Sequence, residues 1–231
     1  MDKNEIRALV VKNWGPLPPY STLAAPLIEE VQKASAGSGA ILTFMTYGKR
    51  KVVLAEAGSH YGVGPGRFMI FGGHLNLTST PGSLLVQPSD APESPRGAAA
   101  REIEEEMVDQ HGKPLIAVDP DRLWPIDCKT LRFKSGEVRL VIGMVLDLTH
   151  DEAALVSGHV LGLGENEALR DCVSRQTINE DTGLPEVRST AIFDLSDIVD
   201  GKVDLLHQDQ LSLFKLAKEY FYMCDQVLAP G

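Results

Sequence analysis

The sequence has few of the features that mark secreted, disulfide-bonded or membrane-spanning proteins. It contains only three cysteines among 231 residues, and no two of them form a C-x-x-C pair. A sparse, odd number of cysteines argues against a disulfide framework and favours a reducing compartment. The first residues lack the basic start and apolar core of a signal peptide, and no apolar run is long enough to span a bilayer. We therefore expect a cytoplasmic protein that needs no membrane.

Positive charge is also scarce. The chain has 22 Lys and Arg residues against 32 Asp and Glu residues, which gives a formal net charge of −10. Its longest basic run is residues 49–51. Because an acidic surface repels nucleic-acid phosphates, this pattern argues against a nucleic-acid partner. A polyphosphate substrate would require a bridging cation.

What remains is the composition of an ordinary globular chain, with 43% hydrophobic and 23% charged residues. The length fits one large domain better than two. We predict an N-terminal extension over residues 1–39, with two short helices and a linker-like break at 36–39, followed by the main domain over 40–231. Strands before and after a central helix, with further helices outside, predict a layered α/β domain.

Local patterns place the elements of this domain. Short apolar runs bounded by turn residues predict strands at 40–46, 52–56, 68–71, 122–133, 137–146 and 187–193. Residues 74–92 are rich in turn formers and predict a long loop. Ser94 and Pro95 predict the start of a helix that runs to Gln110, with Gly112 as its stop signal. Residues 148–170 predict a helix and a loop, and 208–224 predict a closing helix.

The most informative segment is the acidic stretch within the central helix. At about 100° per residue, Glu102, Glu105 and Glu106 fall on one side of the helix, Asp109 lies beside them, and Glu104 faces away. Carboxylates at this spacing repel one another, and hard oxygen ligands that converge on one point suit Mg²⁺ or Mn²⁺. The charge run by itself favours a solvated helix face over a metal site.

The surrounding residues resemble the signature of the Nudix family, G-x5-E-x7-R-E-U-x-E-E-x-G-U, where U is aliphatic. Glu93 and residues 101–106 match the E-x7-R-E-U-x-E-E portion in full, and residues 71–73 look like the P-G-G that precedes it. The chain departs from the pattern in three ways. Nineteen residues separate Gly73 from Glu93 instead of five, an insertion of fourteen; Val108 replaces the late glycine; and Phe71 replaces the proline.

The resemblance implies a Nudix-type α/β/α sandwich with a mixed β-sheet. It also implies site roles, which we take over position by position. Glu105 and Glu106 would bind Mg²⁺ or Mn²⁺, and Glu102 would bind the metal or help to deprotonate the attacking water. Glu102 and Glu105 are thus the candidate catalytic residues.

Three further positions complete this expectation. Arg101 would pair with Glu93 in a structural role, and the carbonyl of Gly72 is a candidate metal ligand. A later acidic residue often completes such a site. Glu186, which precedes a predicted strand, is preferred over three other acidic residues, which are Glu165, Glu167 and Glu180.

The resemblance implies a hydrolase that cleaves the phosphoanhydride bond of a nucleoside diphosphate linked to another moiety, with a nucleotide sugar as one candidate. A non-catalytic nucleotide sensor or protein-binding module of the same fold is the alternative. An isomerase of prenyl diphosphates would be expected to carry a cysteine near the glycine loop, where this chain has none. The histidines and Trp124 are predicted to be structural, with His74 the exception to watch. A homodimer is possible by analogy with the family.

Overall fold

The structure is a computed structural model that describes residues 35–74, 94–132 and 138–228. The helices predicted before residue 35, most of the predicted 74–92 loop, and Glu93 lie outside these ranges. Their predictions are therefore not tested. None of the helices within the described ranges is long and apolar enough to cross a membrane.

Seven strands form one sheet in the described part of the chain. They are β1 (Ser35–Thr46), β2 (Lys49–Ala57), β3 (Phe68–Met69), β4 (Phe71–His74), β5 (Trp124–Arg132), β6 (Val138–Asp147) and β7 (Val187–Asp194). The helices are α1 (Pro95–Glu106), α2 (His150–Glu165), α3 (Glu167–Ser174), α4 (Leu195–Val199) and α5 (Leu211–Leu228). Short 3-10 turns occupy Ser59–Tyr61, Pro120–Arg122 and Gln208–Gln210.

Strand β1 lies at the centre of the sheet. The strand order is β3-β2-β1-β6-β5, β4 also pairs with β1, and β7 also pairs with β2. Strands β1 and β6 run parallel, with Ile41 opposite Val145, whereas the other strand pairs are antiparallel. The predicted mixed sheet is therefore confirmed.

Side chains alternate between the two faces of this sheet. Leu42 and Phe44 of β1 pack on one face in a core that includes Ile103 of α1 and residues of α2. Ile41 points to the opposite face, where it packs in a second core with Phe214 of α5 and residues of α4. Helices thus cover both faces, and the predicted α/β/α sandwich is confirmed. The predicted closing helix is also confirmed as α5, which buries Phe214, Ala217 and Phe221.

The linker-like break predicted at residues 36–39 is wrong. These residues belong to β1, where they pair with β6 on one side and β4 on the other. Gly39 lies opposite Gly72, and a Cβ atom at Gly72 would overlap the backbone of residues 38 and 39. The glycines therefore permit two strands to approach closely, rather than providing a flexible connection.

The predicted end of the central helix is also wrong. Helix α1 ends at Glu106 rather than at Gln110, and Gly112 lies in the following turn with φ of 73°. The carboxylate of Asp109 accepts hydrogen bonds from the backbone N–H groups of His111 at 2.7 Å and Lys113 at 3.0 Å. This side-chain turn replaces the helical backbone pattern, so Asp109 does not extend the acidic face of α1.

A paired arginine and glutamate join the start of α2 to the rest of the sandwich. Arg122 donates to both carboxylate oxygens of Glu152, at 2.6 and 2.8 Å, and to the backbone oxygen of Asp147 at 2.9 Å. Glu152 also accepts from the backbone N–H of Thr149 in a capping box. The hydrogen bonds from Arg122 are the main reason that the pKa of Glu152 falls from 4.5 to about 2.

We predict that Glu152→Gln lowers the free energy of unfolding near neutral pH by about 1–2 kcal/mol, since one charge-assisted interaction is lost. Because the folded-state pKa is depressed, the stabilisation is present above pH 4.5 and is lost as the pH falls towards 2. Urea denaturation across this range measures the difference between the two proteins. Glu165→Gln, an exposed change at the other end of α2, is the matched control. If the free energies of unfolding of Glu152→Gln and the parent differ by the same amount at about pH 7 and at about pH 2, the pairing of Arg122 with Glu152 is contradicted.

Candidate active site

A wide cleft opens where β4, α1 and the segment before β7 meet. Its volume is about 1510 Å³, and its lining includes Gly72 and Gly73 of β4, Glu102 and Glu106 of α1, and Glu186. The elements that bring these residues together are distant in sequence, and residues of strands β1 and β4 form part of the cleft wall.

The start of α1 is fixed on the sheet by polar contacts. The side-chain oxygen of Ser94 caps the helix by accepting from the N–H of Gly97 at 3.0 Å, with Pro95 in the first turn. The buried hydroxyl of Ser38 donates to the carbonyl of Pro95 at 2.7 Å. Further along the helix, Ile103 is fully buried against the sheet. These contacts determine which side of α1 faces β4, and that side carries Glu102 and Glu106.

Glu106 is a buried carboxylate at the base of the cleft, with only 3% of its surface exposed. One of its oxygens accepts a hydrogen bond from the N–H of Gly72 at 3.0 Å. Burial, followed by the charge of Glu102, raises the pKa of Glu106 well above its ordinary value. The glycine hydrogen bond opposes this rise without cancelling it.

Glu102 lies beside Glu106 and is also buried. Burial raises the pKa of Glu102 from 4.5 to about 7, although the nearby Arg101 guanidinium opposes the shift. The side chain lies directly over Gly73, where an added Cβ atom would overlap the carboxylate. The second glycine of the pair therefore leaves the space that Glu102 occupies.

Arg101 connects the end of β4 to the acidic side of α1. Its guanidinium lies 2.9 Å from a carboxylate oxygen of Glu102 and 2.7 Å from one of Glu105, and it donates to the carbonyl of His74 at 2.9 Å. The Glu105 side chain is 57% exposed. Whereas Glu102 and Glu106 are packed against the glycines, Glu105 extends towards the arginine. The predicted pairing of Arg101 with Glu93 lies outside the described residues.

Glu186 approaches the same carboxylates from the far side of the cleft. Its charge contributes to the raised pKa of both Glu102 and Glu106. Of the other acidic candidates within the described residues, Glu180 lines the cleft, whereas Glu165 and Glu167 do not. The structure thus brings the preferred late acidic residue to the predicted group.

Sequence reasoning missed the residue that holds Glu186 in place. The side-chain N–H of Asn179 donates to a carboxylate oxygen of Glu186 at 2.5 Å. The oxygen of the same amide accepts from the backbone N–H of Asp181 at 3.1 Å and of Thr182 at 3.0 Å. The run Asn-Glu-Asp-Thr-Gly at 179–183 is a turn signal in the sequence, but it does not disclose that Asn179 reaches Glu186.

The donor set fits a hard divalent cation. Glu102 and Glu106 are buried next to each other. Ionising both of them would lower the stability of the folded protein unless a positive charge lay close by. Among the described residues, no group of three His, Cys, Asp or Glu side chains is already arranged as a metal site. The Glu105 carboxylate lies instead on the Arg101 guanidinium, at 2.7 Å. Since Glu105 is exposed, turning it towards Glu102 and Glu106 would disturb no core packing.

Comparison with known proteins gave matches only among solved structures. No family model matches the chain, and no curated protein matches it. One similar structure is the NUDIX domain of Shewanella oneidensis NrtR complexed with ADP ribose, at 14% identity and a TM-score of 0.46, covering 93% of this chain and 97% of that chain. A second is a mutT/nudix family protein from Listeria innocua, at 13% identity and a TM-score of 0.42, covering 84% and 97%.

A third similar structure is an Ap4A hydrolase of C. elegans in a binary complex, at 14% identity and a TM-score of 0.42, covering 82% of this chain and 98% of that chain. Nudix proteins are thus among the solved structures that the chain resembles. At this identity and overlap, the similarities carry no argument about activity. We therefore argue the function from the signature residues and the geometry of the cleft.

We predict that the metal-free protein is less stable at about pH 8 than at about pH 5.5 because of the buried carboxylates. Both pKa values are raised, so the folded state binds more protons than the unfolded state above pH 4.5, and stability falls as the pH rises through about 7. Glu106→Gln keeps an acceptor for Gly72. At about pH 8 it should raise the free energy of unfolding above that of the parent, because it removes a buried charge.

Chemical denaturation in the presence of a chelator, at both pH values, measures this effect. Glu104→Gln is the matched control, because it makes the same change on the same helix at a carboxylate that accepts a hydrogen bond from the N–H of Val118, which glutamine can also accept. If Glu106→Gln is less stable than the parent at about pH 8, the prediction is contradicted, because the charge of Glu106 would then stabilise the folded protein.

Proposed function

We propose that this protein is a Nudix-type, metal-dependent hydrolase that cleaves a phosphoanhydride bond in a nucleoside diphosphate linked to another moiety. The observation that carries the proposal is the pair of buried carboxylates, Glu102 and Glu106, packed under the glycines of β4 inside a wide cleft. A nucleotide sugar is one substrate of this class.

Charge provides the physical reason. A diphosphate carries several negative charges, and the cleft already contains Glu102, Glu106 and Glu186. Substrate and cleft would repel each other unless a divalent cation lay between them. Burial and then the charges of neighbouring glutamates raise the pKa values of Glu102 and Glu106, and the same cation would offset both effects.

The residues placed to hold Mg²⁺ or Mn²⁺ are Glu102, Glu105, Glu106 and Glu186. When bound, such an ion supplies Lewis-acid chemistry, lowering the pKa of a water and stabilising the leaving phosphate. Glu102 would bind the ion or accept a proton from the attacking water. Arg101 keeps α1 attached to β4, and Asn179 keeps Glu186 facing the cleft.

The carbonyl of Gly72 remains a candidate ligand. In an antiparallel pair, the N–H and C=O groups of one residue point to the same edge of its strand. The N–H of Gly72 is directed at Glu106, so its carbonyl lies on the same edge, towards the acidic group. This orientation supports the role that the family resemblance implies for Gly72.

One observation favours a non-catalytic role in nucleotide binding. Glu105 is engaged by Arg101 at 2.7 Å, as it would be in a site that never accepts a metal ion. Measurements of metal affinity and turnover on the same samples separate the two functions.

We predict that Glu105→Gln lowers Mg²⁺-dependent turnover by at least about a hundredfold, or about 2.7 kcal/mol in activation free energy. The reason is the loss of one anionic ligand and of its charge near the transferring phosphate. Glu104→Gln should retain nearly full turnover, since Glu104 lies away from the group and accepts a hydrogen bond from the N–H of Val118 at 2.8 Å, which glutamine can also accept.

Phosphate or nucleoside monophosphate release from nucleotide sugars, dinucleotides, nucleoside triphosphates and capped RNA measures turnover. Mn²⁺ titration of the same proteins by electron paramagnetic resonance measures metal affinity. Equal losses of turnover in the two variants would contradict the assignment of the helix faces. Nucleotide binding without turnover on any substrate, together with no Mn²⁺ binding, would favour the non-catalytic alternative.

A further inference from the structure

Three of the side-chain rings that line the cleft lie close to one another and take no part in the proposed metal chemistry. The rings of His60 and Tyr61 are 4.8 Å apart at 84°, and those of Tyr61 and His207 are 6.5 Å apart at 83°. All three residues are half-buried and line the same cleft as the carboxylates. We call His60, Tyr61 and His207 the ring wall.

Backbone contacts fix the ring wall next to Glu186. The N–H of Gly58 donates to the carbonyl of Glu186 at 2.7 Å, and the N–H of His60 donates to the carbonyl of Pro185 at 3.0 Å. The 3-10 turn Ser59–Tyr61 then ends at Gly62, whose left-handed φ of 64° favours glycine. The first two rings therefore project from a segment bonded directly to the acidic side of the cleft.

Further contacts hold the remaining parts of the wall. The N–H of Leu206 donates to the carbonyl of Phe68 at 2.7 Å, which attaches the chain before His207 to β3. On the other side, the hydroxyl of Thr182 lies 2.9 Å from the Nδ1 atom of His60. Asn179 binds both Thr182 and Glu186, so one amide fixes the orientation of the wall and of the carboxylate together.

The charge around the wall determines what it can accept. Glu180, Asp181 and Asp209 line the cleft with it. These carboxylates would repel a second phosphate group, but they do not oppose an uncharged planar ring. Aromatic faces and edges bind nucleobases by stacking and edge contacts, and such contacts tolerate any base.

We infer that the ring wall is the subsite for the nucleobase of the substrate. This inference rests on the proposed function for the diphosphate end of the same substrate. A ribose separates the base from the first phosphate, so a base subsite must lie beside the metal-binding group without being part of it. The wall meets that requirement, because His60 bonds to the residue that precedes Glu186. His60 and His207, predicted from sequence to be structural, thereby gain a role in binding.

The test uses the full chain without metal and three uncharged probes, which are adenosine, uridine and ribose. Calorimetric titration of the parent should give at least about tenfold tighter binding of the nucleosides than of the sugar, as expected for one stacked base. Tyr61→Leu should remove most of this preference, and Tyr61→Phe should keep it. Tyr222→Leu, an exposed tyrosine change on α5, is the matched control and should also keep it.

Tyr61 packs partly against the core, so a thermal unfolding profile must accompany each variant. If Tyr61→Leu does not fold, His60→Ala tests the same wall. Equal binding of all three probes by the parent, or an unchanged preference in folded Tyr61→Leu or His60→Ala, would overturn the inference. If the protein hydrolyses a substrate with metal but binds all three probes equally, the nucleobase subsite is wrong and the proposed function stands. If the parent prefers the probes that carry a base but hydrolyses no substrate, the proposed function is wrong and the subsite stands.

Discussion

Two carboxylates held out of water against a pair of glycines are the constraint on which the site depends. Glu106 accepts a hydrogen bond from Gly72, and Glu102 fills the space that a side chain at Gly73 would need. A side chain at Gly72 would overlap the backbone of β1, and a side chain at Gly73 would displace the carboxylate of Glu102. The acidic group is therefore built into the packing of α1 on the sheet.

Electrostatic repulsion within that group explains the residues around it. Arg101 neutralises part of the charge and ties α1 to the end of β4, and Asn179 directs Glu186 towards the cleft instead of into solvent. These partners do not restore ordinary acidity, since burial, followed by neighbouring charges, keeps the pKa values of Glu102 and Glu106 raised. Positive charge brought close to these carboxylates would stabilise their ionised forms, which is what the proposed function requires.

The sequence allowed prediction of the parts that depend on local spacing. The positions of Glu102, Glu105 and Glu106 on α1 follow from helical periodicity, and the strands follow from short apolar runs. Glu186 could be nominated because it precedes a strand. Residues 36–39 were misread because glycine and serine mark a linker as readily as two strands in close contact. The end of α1 was misread because the side-chain turn at Asp109 competes with the helix.

Other features depend on contacts between distant segments. Asn179 meets Glu186 only because the turn at 179–183 folds back on the start of β7. The rings of Tyr61 and His207 come within 6.5 Å although 146 positions separate them, since β3 lies between their segments. No periodicity or motif in the sequence predicts these two contacts, because they depend on which strands pair and in which register.

The most direct test of the buried carboxylate group is proton release on cation binding. Mn²⁺ titration by calorimetry, in two buffers of different ionisation enthalpy, gives the number of protons released per ion. Because burial raises the pKa of Glu102 to about 7 and also raises the pKa of Glu106 well above its ordinary value, we expect binding at about pH 6.5 to release protons, and Glu106→Gln to reduce their number. Binding that releases no proton at this pH, or the absence of binding, would contradict the account.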